Sequence, residues 1–341
     1  MYSGNHQVSA FGATILDPLG HRLSADEKAF FREADPFGFI LFGRNVDTAD
    51  QIRALCDELR SAVGREAVIT IDQEGGRVQR LRPPLASEWL PPLDETRASA
   101  DSETVMYLRY RIIAAELRAL GIDSNCAPLV DVATRDTHPF LRNRCYGEEP
   151  AQVAQLGRAV ANGLLDGGVL PVLKHIPGHG RAQVDSHKGL PRIDVDKSRL
   201  VETDFVPFQA LNDLPMGMTA HLVYDQIDSR PATLSPVMMD LIRSEIGFEG
   251  LIMTDDICMK ALEGSLSSLS EQAIAAGCDL ILHCNGSLDE KRQVAEAAGR
   301  LTPTSLKRAQ KALAQRRTPE KVDIQALRAK LEALQYGREN G

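Results

Sequence analysis

Eight short apolar runs, at residues 10–16, 37–42, 67–72, 122–132, 169–175, 216–223, 251–256 and 279–285, recur along the chain with helix-like stretches between most of them. This alternation constrains the fold more than any other feature. A strand of continuous apolar residues must be covered on both faces, and a parallel neighbour requires a crossover, usually a helix. Amphipathic stretches at 48–63, 103–120, 152–165, 236–246 and 269–276 supply such crossovers, several ending at a glycine suited to stop a helix. The repeat predicts an α/β fold, a single (β/α)8 barrel of the TIM type with its active site at the C-terminal ends of the strands. At 341 residues and 43% apolar, the chain is long enough for one such domain spanning 1–341, with the barrel at about 9–300 and a helical tail at 301–341.

The charged residues fall where a barrel enzyme would carry its chemistry. Asp72 closes the third run, Lys174 and His175 close the fifth, His221 lies near the end of the sixth, and Asp255 and Asp256 close the seventh. A charge within a barrel strand is costly, whereas at the mouth it meets a ligand. In an extended chain neighbouring side chains face opposite ways, so only one of Asp255 and Asp256 is expected to point into the mouth, the other acting as a structural acceptor. Residues 174–180 read KHIPGHG, with Asp185-Ser186-His187 close behind. His175 and His179 have the spacing of a helical zinc pair, yet Pro177, Gly178 and Gly180 would break a helix there, so the histidines belong to a strand end and a loop. After Asp72 the paired glycines of DQEGGRVQR allow a sharp turn that brings Asp72 and Arg80 inward, either to grip hydroxyl groups or as a salt bridge that pins the loop.

Four segments together, DQEGGRVQRL (72–81), KHIPGHG with VDSHKGLP (174–180 and 184–191), MTAHLVY (218–224) and TDDICM (254–259), closely resemble the family 3 glycoside hydrolases, and within them the bacterial single-domain β-N-acetylglucosaminidases of cell-wall recycling. The resemblance implies an exo-acting, retaining enzyme in which Asp255 attacks the anomeric carbon. It further implies that His187 is the acid/base, with Asp185 orienting its imidazole. An imidazole with an ordinary pKa near 6.5 suits both halves of that role, and as a neutral base it does not repel an anionic nucleophile. By the same resemblance Asp72, Arg80, Arg144, Lys174 and His175 contact the terminal N-acetylglucosamine. Asn143 and Tyr146 around Arg144, Ile176 in KHIPGHG and Ile257-Cys258 after the carboxylates depart from the family pattern. His179 and His221 are expected to orient the loop and strand instead of touching substrate.

A formal charge of −8 with both signs interspersed offers no surface for nucleic acid or an anionic membrane, and no apolar run approaches the roughly 20 residues needed to cross a bilayer. Small neutral or mixed-charge substrates suit it better; the resemblance implies that the partner is a carbohydrate, a muropeptide fragment carrying N-acetylglucosamine, and a monomer is the expected state. Six cysteines without CxxC pairing, and a polar segment at residues 1–10, favour reduced thiols in the cytoplasm. No metal and no organic cofactor is implied. A metallohydrolase barrel would open with an H-x-H pair after the first strand, and the run at 10–16 contains no histidine. Phosphorolysis on the same fold, and a non-catalytic sugar-binding barrel, are the other readings the residues leave open.

Overall fold

The computed structural model describes residues 11–184, 186 and 189–336. All eight apolar runs contain a strand: β1 Gly12–Leu16, β2 Pro36–Leu41, β3 Val68–Ile71, β4 Ser124–Asn125, β5 Leu170–Ile176, β6 Met216–Thr219, β7 Leu251–Met253 and β8 Ile281–His283. They form two four-stranded parallel sheets, in the orders β8-β1-β2-β3 and β7-β6-β5-β4. Every residue of these eight strands is buried, which is why they read as continuous apolar runs and not as alternating ones. Backbone hydrogen bonds also run between the sheet edges. Asp123 N and Cys126 N donate to Ile69 O and Ile71 O at 3.1 and 2.9 Å, while Thr254 N and Ile257 N donate to Leu280 O and Leu282 O at 3.0 and 2.9 Å.

The run at 122–132 keeps only a two-residue strand. Pro128 has no N–H to give to a ladder, so beyond β4 the pairing with β5 continues irregularly, through Lys174 N to Pro128 O (3.0 Å) and Val130 N to Lys174 O (2.9 Å). The irregular stretch ends at Asp131, and its geometry matters for the site below.

The five expected helices are present as α2 Ala49–Val63, α3 Ser102–Ala119, α4 Pro150–Asp166, α6 Pro236–Ser244 and α7 Leu266–Ala276; α1 Ala25–Ala34, α5 Val206–Ala210 and α8 Leu288–Ala298 complete the crossovers. Local signals set their ends. Thr48 caps α2 by accepting from Gln51 N, and Gly64 stops it in the left-handed region at φ 65°. Helices α3 and α4 approach so closely at Gly163 that a Cβ there would lie 2.6 Å from Tyr107 O. Helices α1 and α8 escape a periodicity search because their large apolar side chains are few: Phe30 and Phe31 in one, Leu288 and Val294 in the other. Each is instead marked by a capping box, Ser24 with Glu27 and Ser287 with Glu290.

Residues 303–336 carry two helices, α9 Pro303–Ala314 and α10 Ile324–Tyr336, and they do more than coat the surface. Arg328 of α10 donates to Glu116 of α3 at 2.6 Å, and Leu331 is buried. Gln335 donates to Glu95 (2.5 Å), Glu95 accepts from Arg109 (3.1 Å), and Arg109 donates to the Glu74 carbonyl (2.6 Å). The last turn of α10 is thus tied to the loop that follows β3. No helix among the described residues is long and apolar enough to cross a membrane.

Candidate active site

The segment after β3 folds back on itself as a small hairpin, Gln73–Gly75 against Val78–Gln79, through Gly75 at φ 111° and Gly76 at φ 57°. A Cβ on Gly75 would come within 1.9 Å of the Arg109 guanidinium, so both the turn and the close approach demand glycine. The hairpin brings Arg80 back over Asp72, with Nη2 donating to Oδ2 at 2.8 Å. From the end of β5, Lys174 Nζ donates to the other oxygen of Asp72 at 3.2 Å and lies 2.6 Å from Glu74 Oε1. Arg144 then grips Glu74 with two hydrogen bonds, Nε to Oε2 at 2.9 Å and Nη2 to Oε1 at 2.8 Å. The Asp72–Arg80 contact is therefore one edge of a five-member ion network.

Four of these groups, Asp72, Arg80, Arg144 and Lys174, border a pocket of about 400 Å³ at the C-terminal ends of the strands, with Glu74 buried behind them. Asp72, Arg80, Arg144, Lys174, His175 and Asp255 all line it, so six of the eight site residues read from the sequence converge. The other two, Asp185 and His187, lie outside the described residues. Ser186 between them lines the pocket, as do His179 and Phe42.

Burial opposes charge on Asp72 and Glu74, but the neighbouring cations outweigh it. Lys174, Arg80 and Arg144 hold Asp72 well below the usual carboxylate range, and Arg144 and Lys174 bring Glu74 down to about 2. Lys174, only 2% exposed, would be lowered by burial, yet Glu74 and Asp72 raise it above the ordinary lysine value. Asp255 behaves likewise: burial pushes its carboxyl up, and His221, His175 and the Asp256 N–H together bring it lower, leaving an ionised oxygen facing the pocket. Because Glu74 has its folded pKa depressed, its contribution to stability is complete above about 4.5 and is lost as pH falls toward about 2. A Glu74→Gln variant is expected to melt well below wild type at pH 6, and the gap to narrow steadily between about pH 5 and 3. Melting curves over that range check it; a gap independent of pH would mean that Glu74 is not ionised in the fold.

One expectation needs correction. Asp255 and Asp256 both border the pocket, because β7 stops at Met253 and the chain turns instead of continuing extended. Asp256 still acts as a structural acceptor, taking the N–H groups of Cys284 (3.1 Å) and Cys258 (3.2 Å); burial, with Asp255 beside it, raises its carboxyl to about 6. His179 lines the pocket wall, its Nδ1 without a hydrogen-bond partner among the described residues, and burial beside His175 lowers it to about 4. His221 matches expectation: fully buried, it is held by Thr233 Oγ1 at Nδ1 (2.7 Å) and by Asp256 O at Nε2 (3.0 Å).

Two further carboxylates escaped the sequence reading. Glu74 sits two residues beyond Asp72 in the same motif, and period-two alternation along the hairpin would have put both on one face. Asp131 is a charge near the end of an apolar run, the same signal that marked Asp72 and Asp255. Among the described residues no group of three or more His, Cys, Asp or Glu side chains is arranged to hold a metal ion.

Comparison with known proteins agrees with this geometry. The model of the glycosyl hydrolase family 3 N-terminal domain matches residues 9–317. The chain is 38% identical over 281 residues to a β-hexosaminidase of Methylococcus capsulatus, covering 80% of this chain and 82% of that one. It is 36% identical over 288 residues to a β-hexosaminidase of Chromobacterium violaceum, covering 80% and 79%. Among solved structures, native NagZ from Neisseria gonorrhoeae superposes with a TM-score of 0.82 at 29% identity, covering 96% of both chains. A family 3 β-N-acetylglucosaminidase from Paenibacillus superposes with a TM-score of 0.83 at 28% identity over 95% of this chain and 68% of that one. With its motifs gathered around one pocket and the family model matched over most of its length, this chain is a glycoside hydrolase and belongs to glycosyl hydrolase family 3.

Proposed function

We propose that the protein is a retaining exo-β-N-acetylglucosaminidase that releases terminal non-reducing N-acetylglucosamine from muropeptide fragments, acting in the cytoplasm as part of peptidoglycan recycling. The observation that carries the reading is an ionised Asp255 sharing one pocket with Asp72, Arg80, Lys174 and Arg144 of the ion network. The network offers carboxylate acceptors and cationic donors to the hydroxyl and amide groups of a sugar, and Asp255 offers an anion to its anomeric carbon. The relatives' names supply the sugar: β-hexosaminidase for those in Methylococcus and Chromobacterium, β-N-acetylglucosaminidase for that in Paenibacillus. All six cysteines are free thiols, which suits a reducing compartment.

In this reading a carboxylate oxygen of Asp255 bonds to the anomeric carbon as the bond to the leaving oxygen breaks, and His187, oriented by Asp185, gives that oxygen its proton. The neutral imidazole then takes a proton from water, whose oxygen bonds to the same carbon and releases Asp255. Two displacements on opposite faces return the original anomeric configuration. The eight strands are read here as one closed (β/α)8 barrel forming a single catalytic domain. The backbone bonds from the 123–126 segment to β3, and from the 254–257 segment to the β8 segment, support the closure.

The test is release of 4-nitrophenol from its β-N-acetylglucosaminide, with the sugar product followed by proton NMR. Turnover undiminished by EDTA, with the β-anomer appearing first and no dependence on phosphate, is the expected result. A sugar 1-phosphate formed only with phosphate would assign a phosphorylase instead, and no turnover by the folded protein would reject the enzyme reading.

A further inference from the structure

A carboxylate beside the site, Asp131, is used by neither the sugar network nor the reaction as described. Asp131, at the end of the irregular stretch after β4, is completely buried. Its Oδ2 lies 2.7 Å from His175 Nδ1, and its Oδ1 accepts the N–H of His179 at 2.7 Å and of His175 at 3.3 Å. The same segment cradles the root of the loop that runs on to residues 185–187. Val132 packs so closely on Gly180 that a Cβ there would lie 1.8 Å from its carbonyl oxygen. Thr137 Oγ1 donates to Gly180 O at 2.5 Å, and His138 N donates to Ala182 O at 3.1 Å.

We infer that Asp131 is a positioning residue for the sugar site, fixing the hydrogen of the His175 ring on Nδ1 so that Nε2 is the nitrogen offered to substrate, and anchoring the root of the loop that carries the acid/base pair. The inference rests on the assignment of this pocket as the sugar site. An ionised carboxylate only accepts hydrogen bonds, so the His175 nitrogen facing it must be the one that bears hydrogen. Asp131 stays ionised despite its burial, because the His175 ring, His179 and the His179 N–H together lower its pKa. The ring's second nitrogen is then left for the pocket, which His175 lines.

The two duties of Asp131 separate in Asp131→Asn. The amide oxygen still accepts both N–H groups and keeps the loop root, but the NH2 now facing Nδ1 can only donate. The ring hydrogen is thereby driven to Nε2.

The experiment is a long-range ring 15N–1H correlation spectrum of uniformly 15N-labelled protein at neutral pH, with His175 identified by the signals lost in His175→Gln. Hydrogen on Nδ1 in wild type and on Nε2 in Asp131→Asn is expected. With it goes a roughly 10- to 100-fold loss of kcat/KM on the aryl glycoside, the size found where a group that orients a metal-bound histidine is removed. The melting temperature should stay near that of wild type. A bare Nδ1 in the wild-type spectrum overturns the inference, as does a shifted ring hydrogen with kcat/KM within twofold. Should the Asn variant fail to fold, the wild-type spectrum still decides. That spectrum requires no turnover, so failure of the positioning role and failure of the glycosidase reading are told apart.

Discussion

Asp255→Ala is expected to lower kcat on 4-nitrophenyl β-N-acetylglucosaminide by on the order of 10⁴- to 10⁶-fold, the loss seen when a covalent nucleophile is deleted from a preformed site. The magnitude follows from the division of labour. The five-member ion network lies on the hairpin segment after β3, on β5 and on the segment after β4, and Asp255 does not belong to it, so sugar binding should survive while the covalent step disappears. KM is therefore expected to change little. A second measurement separates a missing nucleophile from a collapsed pocket. The Ala variant leaves space beside the anomeric carbon, and azide added to it should attack from the face Asp255 occupied, giving the α-glycosyl azide from the activated aryl substrate. Only a carboxylate that bonds to that carbon can be replaced in this way. Ordinary turnover by Asp255→Ala, or a β-configured azide product, would move the nucleophile elsewhere.

How far this site was legible in the sequence depends on how each residue declares itself. Asp72, Lys174, His175 and Asp255 interrupt apolar runs at their ends, where burial of the strand and the cost of an interior charge leave the mouth as the one favourable place. Arg80 and Arg144 follow from motifs. Alternation along its motif marked Glu74, and a place near the end of an apolar run marked Asp131, but their partners are distant in sequence, 70 residues for Arg144 and Glu74 and 44 for His175 and Asp131. No local pattern reports such a pairing. His179 was assigned to the loop from its glycine neighbours, while its place on the pocket wall depends on how that loop is cradled by residues 131–138. The strands were readable because full burial writes a continuous apolar run. Helices α1 and α8 were not, because short helices with few large apolar side chains leave only a cap to find. Nor could the sequence announce that Gln335, near the end of the chain, reaches through Glu95 and Arg109 to the backbone of Glu74.

For the acid/base pair, the largest expected effect depends on the leaving group. His187→Ala should lower kcat/KM for a disaccharide or muropeptide by about 10²- to 10⁴-fold, the usual worth of a positioned general acid, since a sugar alkoxide leaves poorly without a proton. Glycosylation from the 4-nitrophenyl glycoside should be hurt much less, because nitrophenolate leaves as a stable anion. The second half-reaction still needs a base to deprotonate water, so the covalent intermediate is expected to accumulate on the activated substrate, giving a burst of nitrophenol followed by slow turnover. Asp185→Asn should reproduce the pattern in milder form, the imidazole being present but less well oriented. The dyad and the nucleophile thus predict opposite kinetic signatures from one assay: no burst and near-total loss without Asp255, a burst and leaving-group-dependent loss without His187. Equal losses on aryl and sugar leaving groups for His187→Ala would remove it from the chemical step and leave the acid to be sought among the other groups that line the pocket, of which His179, with a ring nitrogen unpartnered among the described residues, is the first to substitute.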